Sequence, residues 1–415
     1  MQVLHYRGLK YIDVKLSNFQ ILIGPNASGK STFLDVINLI KDILNDGLRP
    51  AIEKRSSRFD ELIYNQQGNG FEIAFELEIP EDIRQKLKNK DYSLVRYEIS
   101  SQLDNENGFT INNENLWLIK ESSLNYKSKE DKISIFPSEI KEPETIITFR
   151  KRNPVGWKKT IYKTSEGNDR FKAEITNWDF MFKFGPVKSS LAGMPEDEKR
   201  FPVATWVKHL LKEGVHFLQL NSDKMKWSCR PDSPVTLQTD GSNLPKVIRH
   251  LQKEKPDFFI QWLEHIKVFL PDIEEIKVKE KDEDRSLYLS IRYKNGPELS
   301  SWLISDGTLH FLAQTIIAYL SERDTIYMIE EPENGLHPLA IDGIFQSLSS
   351  VYENQVLLAT HSPAILRLAE LDQILCFSKT KSGAVDIVNG QNHPKLKDWK
   401  KSVDLGTLHA AGVLR

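Results

Sequence analysis

The chain has 415 residues, 40% hydrophobic and 27% charged, with a net charge of −2; this excludes disorder and a whole-chain attraction to nucleic acid, and leaves room for two or three core-forming units. Its two cysteines, Cys229 and Cys376, lie far apart in no metal-ligand spacing and fit a reducing compartment without a disulfide framework. No run approaches the ~20 apolar residues of a membrane span, and MQVLHYRGLKYIDVKL lacks the basic-then-apolar layout of a secretory signal, so the expectation is a cytoplasmic chain with no membrane contact of its own.

Residues 2–23 read as two short strands, QVLHYRG and IDVKLSN, and then the apolar strand FQILIG. GPNASGKST follows, and an apolar-periodic helix runs over roughly residues 30–44. Between 71 and 163 the segments FEIAFELEI, YSLVRYEISSQL, FTINNENLWLI, TIITFR and KKTIYKT, separated by turn signals, predict an antiparallel meander. Residues 166–215 read as an insertion with helical patterning near 203–213. HFLQL predicts a strand, the stretch to about 270 is helical, and IEEIKVKEK and SLYLSIRYK form a hairpin. The acidic run Asp282-Glu283-Asp284 at its tip is a solvated turn rather than a metal motif. The last third alternates: a helix after SDGT, strand TIYMI, helix PLAIDGIFQSLSSVY, strand QVLLAT, helix PAILRLAE, strand ILCFS. Such alternation means a parallel sheet with helices on its faces, an α/β fold.

Four elements carry chemistry. Gly24-Pro25-Asn26-Ala27-Ser28-Gly29-Lys30-Ser31-Thr32 sits between a strand and a helix, where glycines let successive backbone N–H groups point at phosphate oxygens. Lys30 would meet the β- and γ-phosphates of ATP and Ser31 would ligate Mg²⁺, with the helix dipole behind them. The buried strand TIYMI ends in Glu330, a candidate for the Mg²⁺ shell, and Glu331, a candidate to polarise the attacking water. QVLLAT ends in His361, near the same sheet edge. Ser305 and the backbone of Gly307 open a helix and form a second anion site, remote in sequence from the first and able to close on the nucleotide of another subunit.

The stretches IGPNASGKST, LQLNSDKMKW, TDGSNL, ISDGT, IEEPENGLHP, LLATHSP and DLGTLHAAGVL together resemble the soluble ABC-type ATPases of the RecF/Rad50/OLD-like branch. Within it they are most similar to the single-headed "AAA family" ATPases of AbiL/RloA, PARIS or Septu-like defence systems. The resemblance is thin between about 80 and 215. It implies an ABC-type P-loop head with a mixed/parallel sheet flanked by helices; the antiparallel β-rich subdomain and the helical insertion are read from the residues and are atypical of the family. Lobe I with the Walker A loop would span 1–165, the insertion 166–215, and lobe II with signature, Walker B, D-loop and switch histidine 216–415. The resemblance further implies two heads sandwiching two ATP molecules, with Ser305 of one touching the γ-phosphate held by Lys30 of the other. Glu333-Asn334-Gly335 would be the D-loop sensing the partner, and Arg7 would lie near the adenine.

The function expected is an ATPase that dimerises on ATP, with higher oligomers open to it, and controls a separately encoded nuclease or other effector in anti-phage defence. Only about fifty residues follow His361, too few for a TOPRIM nuclease. The alternative is a RecF-like DNA-binding clamp in repair. It would need a basic groove from Lys151, Arg152, Lys158 and Lys159, or from Lys395–Lys401.

Overall fold

The computed structural model describes residues 1–104, 108–123, 135–148, 153–164, 168–320, 322–396 and 404–413. A six-stranded sheet runs in the order Val215–Leu218, Ile326–Glu330, Gln355–Ala359, Phe19–Ile23, Ile374–Lys379, Val385–Asn389. Every neighbouring pair is parallel except the last. Its central strands are buried on both faces, which is why they read as unbroken apolar runs without alternation. Leu22, Met328 and Leu357 face one core; Ile21, Tyr327 and Leu358, one residue out of phase, face the other. The sheet is therefore a wall between two cores, and the carboxyl ends of its parallel strands share one edge, where ligands of open α/β folds sit.

An eight-stranded antiparallel sheet makes the second layer: Leu9–Asp13, Gln2–Tyr6, Gly70–Glu78, Tyr92–Asp104, Gly108–Lys120, Trp157–Lys163, Asn168–Lys172, Asp179–Lys183. Between the layers lies the helix Lys30–Asp46, burying Phe33, Leu34, Val36, Ile37, Leu39, Ile40, Ile43 and Leu44 at helical spacing. Within 166–215, expected as a helical insertion, two strands complete the antiparallel sheet, and the helix Pro202–Lys212 packs on Lys30–Asp46. The hairpin predicted from IEEIKVKEK and SLYLSIRYK is Ile273–Glu280 with Leu287–Tyr293, and Glu298–Ser300 adds a third strand. Among the described residues no helix is long and apolar enough to cross a membrane.

TIITFR was expected as a strand, but residues 145–148 form none, and the rest of that segment lies outside the described residues. Side chains take the place of a ladder. Glu72 accepts from Thr145 Oγ1 (2.8 Å) and Ile146 N (2.7 Å), and fully buried Glu98 accepts from Thr148 N (3.1 Å) and Oγ1 (2.6 Å). Arg96 Nη2 donates to Ile146 O at 2.8 Å. Once these groups have partners, strand pairing is no longer required of the segment.

Glu174 receives Val203 N and Ala204 N at 2.7 and 2.8 Å, capping the first turn of Pro202–Lys212. Burial pushes its carboxyl from the ordinary 4.5 up to about 7, against the opposing pull of those two N–H groups and of Lys158. The folded chain therefore holds this proton more tightly than the unfolded chain. The group's contribution to stability is complete below pH 4.5, declines as the pH rises to about 7, and is level above that. Glu174→Gln should remove this slope: between about pH 5 and pH 8 the melting temperature of the variant should fall less than that of the parent. Parallel melting curves at the two pH values check this, and equal falls would refute it.

Candidate functional site

Phe19–Ile23 delivers the chain to Gly24, whose φ is +152°; a methyl group there would stand 2.3 Å from Phe377 O on the neighbouring strand. Gly29 has φ +103°, and a methyl group would meet Val385 Cγ2 at 2.6 Å. Both positions therefore require glycine, one for close approach and both for backbone conformation. Ala27 also lies in the left-handed region, at φ 59°. The chain then enters the helix at Lys30, so the first-turn N–H groups and the positive end of the helix dipole face the loop.

Lys30 is 8% exposed, and its ammonium donates to Gly24 O (2.9 Å) and Pro25 O (3.1 Å). Burial lowers its pKa, while Glu330 and Glu331 oppose that shift. Ser31 Oγ donates to Glu330 in a short hydrogen bond that joins residues 299 apart in sequence. Ser28 Oγ is buried with no hydrogen-bond partner among the described residues. A loop of inward backbone donors, one orphan hydroxyl and an ammonium beside a hydroxyl–carboxylate pair suits a polyphosphate with a divalent cation. A cavity of about 300 Å³ lies over the loop, lined by Ala27 to Thr32 and by Gly8, Lys379 and Val385.

Glu330 ends its strand beside Ala359, and Glu331 follows with φ 47°, a left-handed conformation rare for a side-chain-bearing residue. Three hydrogen bonds hold it: Glu331 N to Ala359 O (2.8 Å), Asn334 N to Glu331 O (3.0 Å), and Asn334 Nδ2 to Glu331 Oε2 (2.5 Å). Glu333 Oε1 accepts from Thr360 Oγ1 (2.6 Å) and His361 N (3.3 Å). The turn carrying His361 is thus tied to the segment after Glu331. The resemblance implies a D-loop at Glu333 and Asn334, while Lys379, closing an apolar strand of the same edge, went unmarked.

Ser305 is exposed and caps the helix Asp306–Thr315, its Oγ accepting from Thr308 N (3.3 Å) and pairing with Thr308 Oγ1 (2.8 Å). Lys226 reaches Asp306 at 2.6 Å, and Ser222 Oγ reaches His310 Nε2 at 3.0 Å, so the LQLNSDKMKW segment braces this helix. On its other flank, Gln314 Nε2 donates to Pro332 O (3.0 Å), and a methyl group on Gly307 would stand 2.5 Å from Gly335 O. The residues lining the phosphate-loop cavity do not include Ser305 or Gly307.

Arg7, expected near the adenine, pairs through Nη1 with Asp35 Oδ2 at 3.0 Å, beside Tyr6 and Arg55 on the same carboxylate; its neighbour Gly8 lines the cavity. Of the candidate basic groove, Lys151 and Arg152 lie outside the described residues, as do Lys397 to Lys401. Lys158 donates to Ala173 O and Glu174 O, and Lys159 sits 4.3 Å over the Trp117 ring. The acidic tip Asp282 to Asp284 is exposed, with Asp284 Oδ1 accepting from Ser286 N at 2.9 Å.

A family model described as "AAA domain, putative AbiEii toxin, Type IV TA system" matches residues 19–367. A protein of Vibrio cholerae serotype O1 biovar El Tor, described as "Retron Vc95 probable ATPase", is 24% identical over 387 residues, covering 86% of this chain and 68% of that protein. Among solved structures, the SmcHead bound to the C-winged helix domain of ScpA superposes with a TM-score of 0.50 at 14% identity, covering 93% of this chain and 95% of that one. At that identity the likeness concerns the fold, an ABC-type ATPase head with mixed sheets.

Proposed function

This chain belongs to that AAA-domain family, an ABC-type ATPase, and from that premise we propose that it binds and hydrolyses ATP, closes on the nucleotide as a two-fold dimer, and controls a separately encoded effector in anti-phage defence. The observation that supports this reading best is the Ser31–Glu330 contact beside Lys30, because it brings a hydroxyl and a carboxylate 299 residues apart in sequence to one sheet edge.

In this reading the loop N–H groups and Lys30 hold the triphosphate. Ser31 and Glu330 hold Mg²⁺, which supplies positive charge to the phosphate oxygens. Glu331 orients the attacking water and takes its proton, and His361 contacts the γ-phosphate or that water. The phosphate loop covers one side of a triphosphate, and the exposed cap at Ser305, with Trp302 and Leu303 exposed beside it, suits the other side in a partner head. Such an arrangement is isologous and yields two equivalent sites. The defence role is supported by the likeness to a retron ATPase and by a family that includes a toxin of a type IV toxin–antitoxin system.

Ser305→Arg should leave ATP binding nearly intact and abolish both ATPase activity and the ATP-dependent dimer. Light scattering of Glu331→Gln protein with and without ATP, alone and combined with Ser305→Arg, reads this out as the gain in mass that ATP causes. A double variant that still dimerises on ATP would overturn the composite site.

A further inference from the structure

Among the described residues the antiparallel sheet ends at Asp179–Lys183, a strand with a neighbour on one side only. Edges of this kind are normally blunted by shortness, charged side chains, proline or bulges, and this one is five residues long and bears Asp179 and Lys183. Here Trp178, Met181 and Phe182 are 53%, 67% and 43% exposed within five residues, and no proline interrupts residues 178–184. Trp178 O accepts from Ala173 N, and Phe184 N donates to Asp169 Oδ2 at 2.8 Å. The backbone groups of 178 and 184 thus turn into the sheet, and by the two-residue period those of Asp179, Met181 and Lys183 turn outward.

We infer that this edge pairs antiparallel with the same edge of a second copy of the chain, about a two-fold axis at Met181, joining two eight-stranded sheets into one. The segment is self-complementary in that register. Asp179 faces Lys183 of the other copy and Met181 faces Met181, all three through outward backbone groups that exchange hydrogen bonds. On the opposite face Trp178 meets Phe184 and Phe180 meets Phe182, cross-strand aromatic pairs of the kind that stabilise sheets. Phe182 already stacks on Phe184 at 5.8 Å, and Arg200 covers the Trp178 ring at 4.4 Å, so the aromatic row is ordered before pairing. Arg170, paired with Asp179 at 2.7 Å, holds that carboxylate beside the edge. This contact is independent of the nucleotide sandwich and uses a different face.

The test is cysteine crosslinking in a Lys30→Ala background without nucleotide. Residues directly opposite in a hydrogen-bonded pair have Cα atoms about 5.5 Å apart, within disulfide reach. Met181→Cys should form a disulfide-linked dimer at least about tenfold faster than Lys183→Cys, which would face Asp179. The native Cys229 and Cys376 are buried and do not compete. Without nucleotide, light scattering should report a dimer for the unsubstituted protein and a shift to monomer for Lys183→Glu, which sets like charges opposite each other. Equal crosslinking rates, or a nucleotide-free monomer, would overturn the pairing and leave the edge to a strand from a different protein. Failure of the Ser305 test would not touch this result.

Discussion

Glu331→Gln should keep ATP bound while slowing turnover by about a hundredfold or more, the scale expected when a positioned base is lost. The substitution preserves size and leaves a carbonyl oxygen to accept from Asn334 Nδ2, so the local scaffold stays in place. What disappears is the basicity that draws a proton from water. The backbone argues in the same direction. Glu331 adopts φ 47°, an unfavourable conformation for a side-chain-bearing residue, and is kept there by bonds to Ala359 and Asn334. Strain of this kind costs on the order of 1–3 kcal/mol and persists where the surroundings over-determine it, often at functional sites. Phosphate release under saturating ATP measures the effect, with a filter-binding assay to confirm retained nucleotide. Turnover within a few-fold of the parent would remove Glu331 from the mechanism.

Lys30→Ala should weaken ATP binding by about a hundredfold or more, since charge-assisted hydrogen bonds contribute roughly 1.5–3 kcal/mol each and several disappear together. The ammonium is buried against the loop, and Glu330 and Glu331 stand near enough to influence its proton affinity. Without it those carboxylates repel the incoming triphosphate. The variant loses the Lys30 bonds to Gly24 O and Pro25 O but keeps Gly24 and Gly29, which set the loop's backbone, so it should still fold, with a melting temperature somewhat below the parent's. Calorimetric titration with Mg-ATP decides the matter; unchanged affinity would dismiss the phosphate-loop assignment.

Where a physical demand is local, the residues announced it. A loop in which an added methyl group would come within 3 Å of Phe377 O and Val385 requires glycine at Gly24 and Gly29, and that need is written as spacing in GPNASGKST. Strands buried on both faces must be apolar throughout, so FQILI, IYMIE and QVLLA were recognisable, along with the polar residues that end them. Helical periodicity marked Lys30–Asp46 in the same way. Where side chains substitute for the ladder, as Glu72 and Glu98 do for residues 145–148, β-rich composition misled. Composition also left the edge strand Asp179–Lys183 unmarked. Strand order was decided only in three dimensions: it set Phe19–Ile23 between Gln355–Ala359 and Ile374–Lys379 and so brought Ser31 to Glu330, and Lys379 to the cavity. The clamp of Glu333 on Thr360 and the pairing of Arg7 with Asp35 belong there too. Pairing between strands hundreds of residues apart is selected by the burial of whole faces at once, and a motif only a few residues long has no means of encoding which neighbour that burial will choose.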